Sequence, residues 1–129
     1  MHRTAARLRE DNAVVSIVGD HLGTQNIATP FLDGRAQFAI GAPALAWKAG
    51  ATLLPVFAFR TGTLRYRVVI EEPISVDRAL DRKEFVESAV KEFSRRMQRA
   101  IASHPGSWAN WNLYLRGTSI FRGPPVATA

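Results

Sequence analysis

The chain has 129 residues, 47% of them apolar and 22% charged, the balance of one packed domain and not of a disordered chain. It has no cysteine and three scattered histidines (His2, His21 and His104), which excludes a disulfide framework, a thiolate nucleophile and a cysteine-based metal site; nothing in it calls for a cofactor. Seventeen Lys and Arg against eleven Asp and Glu give a net charge of +6, and fourteen of those cations are Arg, the better residue for forked contacts to phosphate or carboxylate. The partner expected is therefore acidic: nucleic acid, an anionic membrane surface, a phosphorylated substrate or an acidic carrier protein.

Residues 1–12 read as a helical lead-in, polar and basic, without the apolar stretch of a signal peptide. The run AVVSIV at 13–18 is short, apolar and β-branched, which predicts a strand buried on both faces. It ends at Gly19-Asp20-His21, placing polar side chains just past the carboxyl end of a buried strand, where open α/β sheets bind ligands. Residues 22–37 form a long irregular stretch whose Ile27, Phe31 and Leu32 predict ordered packing. Pro43 and Gly50 bracket a short, largely buried helix. Residues 51–59 (ATLLPVFAF) predict a second buried strand, with Pro55 at an edge, a bulge or a register break. Residues 36–59 carry one charge, Lys48, but their glycines and prolines fit two short buried elements better than a membrane span.

After the turn at 60–63, Leu64, Tyr66, Val68 and Ile70 alternate with Arg65, Arg67, Val69 and Glu71, predicting a half-buried strand in an antiparallel hairpin with 51–59. Asp81 followed by Glu84 is a capping-box pattern, and the helix after it repeats Phe85, Ala89, Phe93, Met97 and Ile101 at steps of four. His104-Pro105-Gly106 stops that helix. Residues 117–129 read as a loose tail. The sum predicts a single domain over 1–129, an α/β sandwich whose mixed, mostly buried sheet is flanked by helices.

No G-x-S-x-G elbow and no P-loop is present, and Ser16 lies inside a predicted strand. Asp20 has two readings, as a loop cap and as a site residue; His21 reads as solvent-facing. Arg35 and Arg60, each at a turn or element end, have two as well: phosphate ligands or solvated loop arginines. Phe31, Leu32 and Phe38 line an acyl groove or fill the core, and Trp108 and Trp111 meet a membrane interface or cover the end of the long helix. Arg95, Arg96 and Arg99 read as the wet face of that helix. Nucleic acid is disfavoured, because no RNA-recognition or helix-turn-helix signature accompanies the basic charge.

Read in order, VVSIVGDHLG, TPFLDGRAQFAIGAPALAWKAGATLLPVFAFR and HPGSWANW resemble the bacterial lipid A biosynthesis lauroyl/myristoyl acyltransferase family of the lysophospholipid acyltransferase-like group. The resemblance rests on Asp20, Pro30-Phe31, Gly34-Arg35, Pro55, Arg60, Pro105 and Trp108. It implies a partial acyltransferase-like domain in which Asp20, Phe31, Gly34, Arg35 and Arg60 contact substrate. The donor it implies is acyl carrier protein, the acceptor a phosphorylated glycolipid, and the place the cytoplasmic face of the inner membrane. The sequence departs from the family pattern in carrying Leu32-Asp33 before Gly34 and Asn112-Leu113-Tyr114 after the second tryptophan. It also lacks the family's catalytic H-x4-D/E: five residues after His2, His21 and His104 stand Arg7, Asn26 and Ala109. The expectation is a chain equivalent to the C-terminal part of such an enzyme, inactive alone. The alternative is a non-enzymatic module that binds anionic lipid or carrier protein.

Overall fold

The computed structural model describes residues 2–10 and 12–115; the predicted loose tail at 117–129 lies outside the described residues. Four helices and four strands follow one another: α1 (His2–Glu10), β1 (Asn26–Phe31), β2 (Gly34–Ala39), α2 (Gly41–Ala49), β3 (Val56–Gly62), β4 (Arg65–Ile70), α3 (Arg82–Ser103) and α4 (Trp111–Leu115). One 3₁₀ turn, Pro105–Ser107, separates α3 from α4. The class is α/β, as expected. The strands form two separate antiparallel hairpins, β1–β2 and β3–β4, in place of one mixed sheet.

The long helix organises the rest. Asp81 caps it, its Oδ1 accepting the Glu84 amide at 2.9 Å. Its apolar stripe buries Phe85, Val86, Ala89, Val90, Met97, Ala100 and Ile101, and the helix closes at His104. That stripe meets Phe31, Ala36 and Phe38 of the first hairpin and Ala44 of α2 in one core. Two polar clamps fix the hairpin to the helix: the buried Ser94 hydroxyl donates to Pro30 O (3.1 Å), and Gln98 Oε1 accepts the Leu32 amide (2.8 Å). Burying polar groups costs stability unless they are paired, so these bonds also set the register of hairpin against helix.

α2 forms between its expected punctuation. Gly50 ends it with φ +66°, a left-handed conformation that favours glycine, and its amide reaches back to Ala46 O and Trp47 O. Arg78 seals the same end, donating to Ala46 O (3.1 Å) and Ala51 O (2.6 Å) while its guanidinium lies over the Phe85 ring at 5.0 Å.

Four expectations are corrected. Residues 13–18 form no strand: among the described residues nothing pairs with them, and Val14 is 95% exposed. The runs 13–18 and 51–59 therefore do not share a sheet. Residues 22–37 are not irregular throughout, since they hold β1 and the start of β2 around a turn at Leu32-Asp33, with Leu32 at φ +51°. The second apolar run enters its strand only after Pro55, at Val56. β4 is not half-buried as expected: of its residues only Val69 is partly covered. Register pairs Phe57 with Val69, both partly buried, and the buried Phe59 with Arg67, which reaches His104. Tyr66, Val68 and Ile70 point outward with Arg60, Ala58 and Val56, their cross-strand partners.

The arginines of α3 are not simply a wet face. Arg96 is largely buried; its Nε contacts Glu92 Oε1 at 2.6 Å, its Nη1 lies 3.5 Å from Glu71, and it also donates to Glu72 O and Pro73 O. It thus ties α3 to the chain leaving β4. Arg95 grips the same Glu92 through both oxygens (2.9 and 2.7 Å). Hydrogen bonds from Arg95 and then Arg96 lower the Glu92 pKa from its usual 4.5 to about 2.

Two measurements follow. Phe31 has no exposed surface, so Phe31→Ala should lose about 3–5 kcal/mol in urea denaturation. Glu92→Gln should cost about 1 kcal/mol at neutral pH. Because the folded pKa is depressed, Glu92 stabilises the fold above pH 4.5 and loses that effect as pH falls toward 2. The gap between wild type and Glu92→Gln should close over that window; a gap that persists at pH 2 would contradict the ion-pair account.

Candidate functional site

A cavity of about 260 Å³ opens between β3 and the C-terminal half of α3. Phe57, Phe59, Phe93, Met97 and Ile101 make its apolar wall, and Asp20, His104 and Ser107 supply polar groups. The geometry follows from the elements. The four-residue repeat of α3 sets Phe93, Met97 and Ile101 along one line, and the strand period of two turns Phe57 and Phe59 toward them. Gly19 brings the entering chain against that wall: a Cβ there would lie 2.5 Å from Phe93 Cζ, so the close approach needs glycine.

The polar groups are held by bonds between distant parts of the chain. Asn110 Nδ2 donates to Asp20 Oδ2 at 2.7 Å, a tie across 90 residues that fixes Asp20 although its strand is absent. Ser107 Oγ accepts the Arg60 amide at 3.1 Å and so joins β3 to the 3₁₀ turn. His104 sits 4.2 Å from the Phe59 ring, centroid to centroid. Arg67 Nη2 lies 2.9 Å from His104 Nε2, and since a guanidinium can only donate, Nε2 is the acceptor. The ring hydrogen is then on Nδ1, directed at Ser103 Oγ (2.9 Å), whose hydroxyl donates to Ala100 O (2.9 Å). The lone pair that a general base would use is occupied by Arg67.

Of the five residues singled out in the sequence, the structure brings Asp20 and Arg60 to this place. Asp20 lines the cavity, and the Arg60 backbone braces Ser107 while its Nε donates to Gly62 O (3.3 Å). Phe31 lies behind the wall as core, its ring 5.7 Å from that of Trp108. Gly34 and Arg35 belong to the other hairpin; Arg35 stands in β2 and donates to Ala28 O (2.9 Å), so it does not sit at a helix N-terminus. Trp108 and Trp111 pack against each other at 4.9 Å over the core beyond α3, and the Trp111 indole donates to Pro105 O (2.7 Å).

Asn110, Arg67, Ser103 and Ser107 were not legible as a set. Each is an ordinary surface residue by type, and only the fold places it beside Asp20 or His104. Among the described residues, no group of three or more His, Cys, Asp or Glu comes together to hold a metal ion, and no helix is long and apolar enough to cross a membrane.

The site is thus an apolar slot with a hydrogen-bonded polar end, suited to holding a hydrocarbon chain whose head is polar. No curated protein and no solved structure matches the chain significantly. The sequence does match the family model described as bacterial lipid A biosynthesis acyltransferase over residues 1–112, most of its length, and the chain belongs to that family.

Proposed function

We propose that this chain is the acyl-holding part of a transferase that moves a lauroyl or myristoyl chain from acyl carrier protein to a phosphorylated glycolipid precursor of lipid A. The observation that carries the reading is the cavity, with aromatic and aliphatic side chains along α3 and β3 and an end made polar by Asp20, His104 and Ser107. A saturated chain gains by leaving water for such a wall, and the polar end suits the thioester and the acceptor hydroxyl. The surplus of arginine suits an acidic carrier protein and a phosphorylated acceptor.

Attack of the acceptor hydroxyl on the thioester carbonyl requires a base to take the hydroxyl proton. His104 does not supply it, because its Nε2 accepts from Arg67. No histidine in the sequence is followed five residues on by an acid. The chain therefore corresponds to the part of such an enzyme that follows the His-x4-Asp/Glu motif, and it positions substrate without initiating transfer. Its place of work is the cytoplasmic face of the inner membrane, where the family's pathway runs.

Purified chain given lauroyl- or myristoyl-charged acyl carrier protein and a lipid A precursor should release no acylated product, and sustained turnover would overturn the assignment of roles. Binding is a separate expectation. Laurate should bind, as followed by tryptophan fluorescence, and Ala100→Trp, which fills the cavity, should weaken it by about tenfold or more. Unchanged affinity in a folded Ala100→Trp variant would place the acyl site elsewhere.

A further inference from the structure

The outward face of the β3–β4 hairpin is apolar where a solvated sheet face would be polar. Tyr66, Val68 and Ile70 are between 61% and 66% exposed, and all three stand on one face by register. At the tip, Leu64 is 88% exposed and holds φ +55°. A leucine in the left-handed region is costly where Gly or Asn would be easy, and full exposure gives it no packing in return. Strain and exposure at one residue mark a position kept for contact with something else. The same hairpin carries Arg60, Arg65 and Arg67 and no acid anywhere between residues 56 and 70. Arg67 turns inward to His104, whereas among the described residues neither Arg60 nor Arg65 is ion-paired.

We infer that the hairpin tip and its outward face dock onto an anionic lipid bilayer, Leu64 and the Tyr66–Val68–Ile70 row entering the interface while Arg60 and Arg65 meet lipid phosphates. The charge decides the occupant. A second copy would bring the same arginines face to face on a chain of net charge +6, whereas an anionic surface attracts them. Tyrosine suits the boundary, with an apolar ring and a hydroxyl that stays wet. The surface is distinct from the wall of Phe93, Met97 and Ile101, and the inference stands whether or not that cavity takes an acyl chain.

The test is co-sedimentation of the full chain with vesicles of phosphatidylcholine alone and of phosphatidylcholine mixed with phosphatidylglycerol, at low and high salt. Binding should require phosphatidylglycerol and weaken with salt. Leu64→Asn is the informative variant. Asparagine tolerates the left-handed conformation, so thermal stability should hold or rise, while vesicle partitioning should fall by about tenfold or more. Arg65→Gln should also weaken binding to the mixed vesicles. Wild-type partitioning by a stable Leu64→Asn variant would overturn the inference. So would equal binding to both vesicle types, or a dimer in solution whose amides at 64–70 are protected from exchange without lipid.

Discussion

A hydroxyl inside the core determines how this small fold is assembled. Ser94 lies in the middle of the apolar stripe of α3, buried to 1% exposure, and its hydroxyl reaches Pro30 O. Proline has no amide of its own to offer in β1, so its carbonyl is that residue's one backbone hydrogen-bonding group, and the helix satisfies it. Because the bond has a direction, it sets which residues of the first hairpin descend onto α3: Phe31 beside it, then Phe38 across the strand. Everything apolar around that contact is permissive about angle; the hydroxyl and the neighbouring Gln98 bond to Leu32 are not.

From that contact the rest of the site can be traced. Once α3 is seated, Phe93, Met97 and Ile101 pack against the core and also line the cavity beside β3, and the end of the helix delivers His104 to Phe59 and Arg67. The 3₁₀ turn then carries Ser107 to the Arg60 amide, and the segment beyond it sends Asn110 back to Asp20. The polar end of the cavity is therefore assembled from residues near 20, 60, 67, 104 and 110 by one helix end. Arg96 does the same work at the opposite edge, linking α3 to the chain leaving β4 through Glu71, Glu72 O and Pro73 O.

What could be read in the sequence was whatever depends on neighbours in sequence. The Asp81 cap, the four-residue repeat of α3 and the Gly50 stop of α2 are local patterns, and all appear. The second hairpin appears too, but its turn is Thr63-Leu64 and not 60–63, because β3 continues through Gly62. The first hairpin was hidden because its turn is Leu32-Asp33, without the glycine or asparagine that usually announces a left-handed turn residue. The run at 13–18 misled for the opposite reason: its composition fits a buried strand, but a strand exists only with a partner, and none of the described residues pairs with it. The alternation in β4 marks two faces without saying which is inward or how far it is covered; Phe57 and Phe59 on the neighbouring strand decide the facing, and the outer row stays exposed. Asp20 was visible as a polar residue after an apolar run, whereas its tie to Asn110 spans 90 residues and has no local signal.

The central claim is that the slot between β3 and α3 takes a fatty acyl chain, and a methionine inside it offers the most direct check. The chain has two methionines, Met1 and Met97, and Met97 lines the cavity. With both methyl groups ¹³C-labelled, titration with laurate should shift the Met97 signal and give intermolecular NOEs between that methyl and the methylenes of the ligand. Laurate that binds while the Met97 signal stays still and shows no NOE would contradict the account.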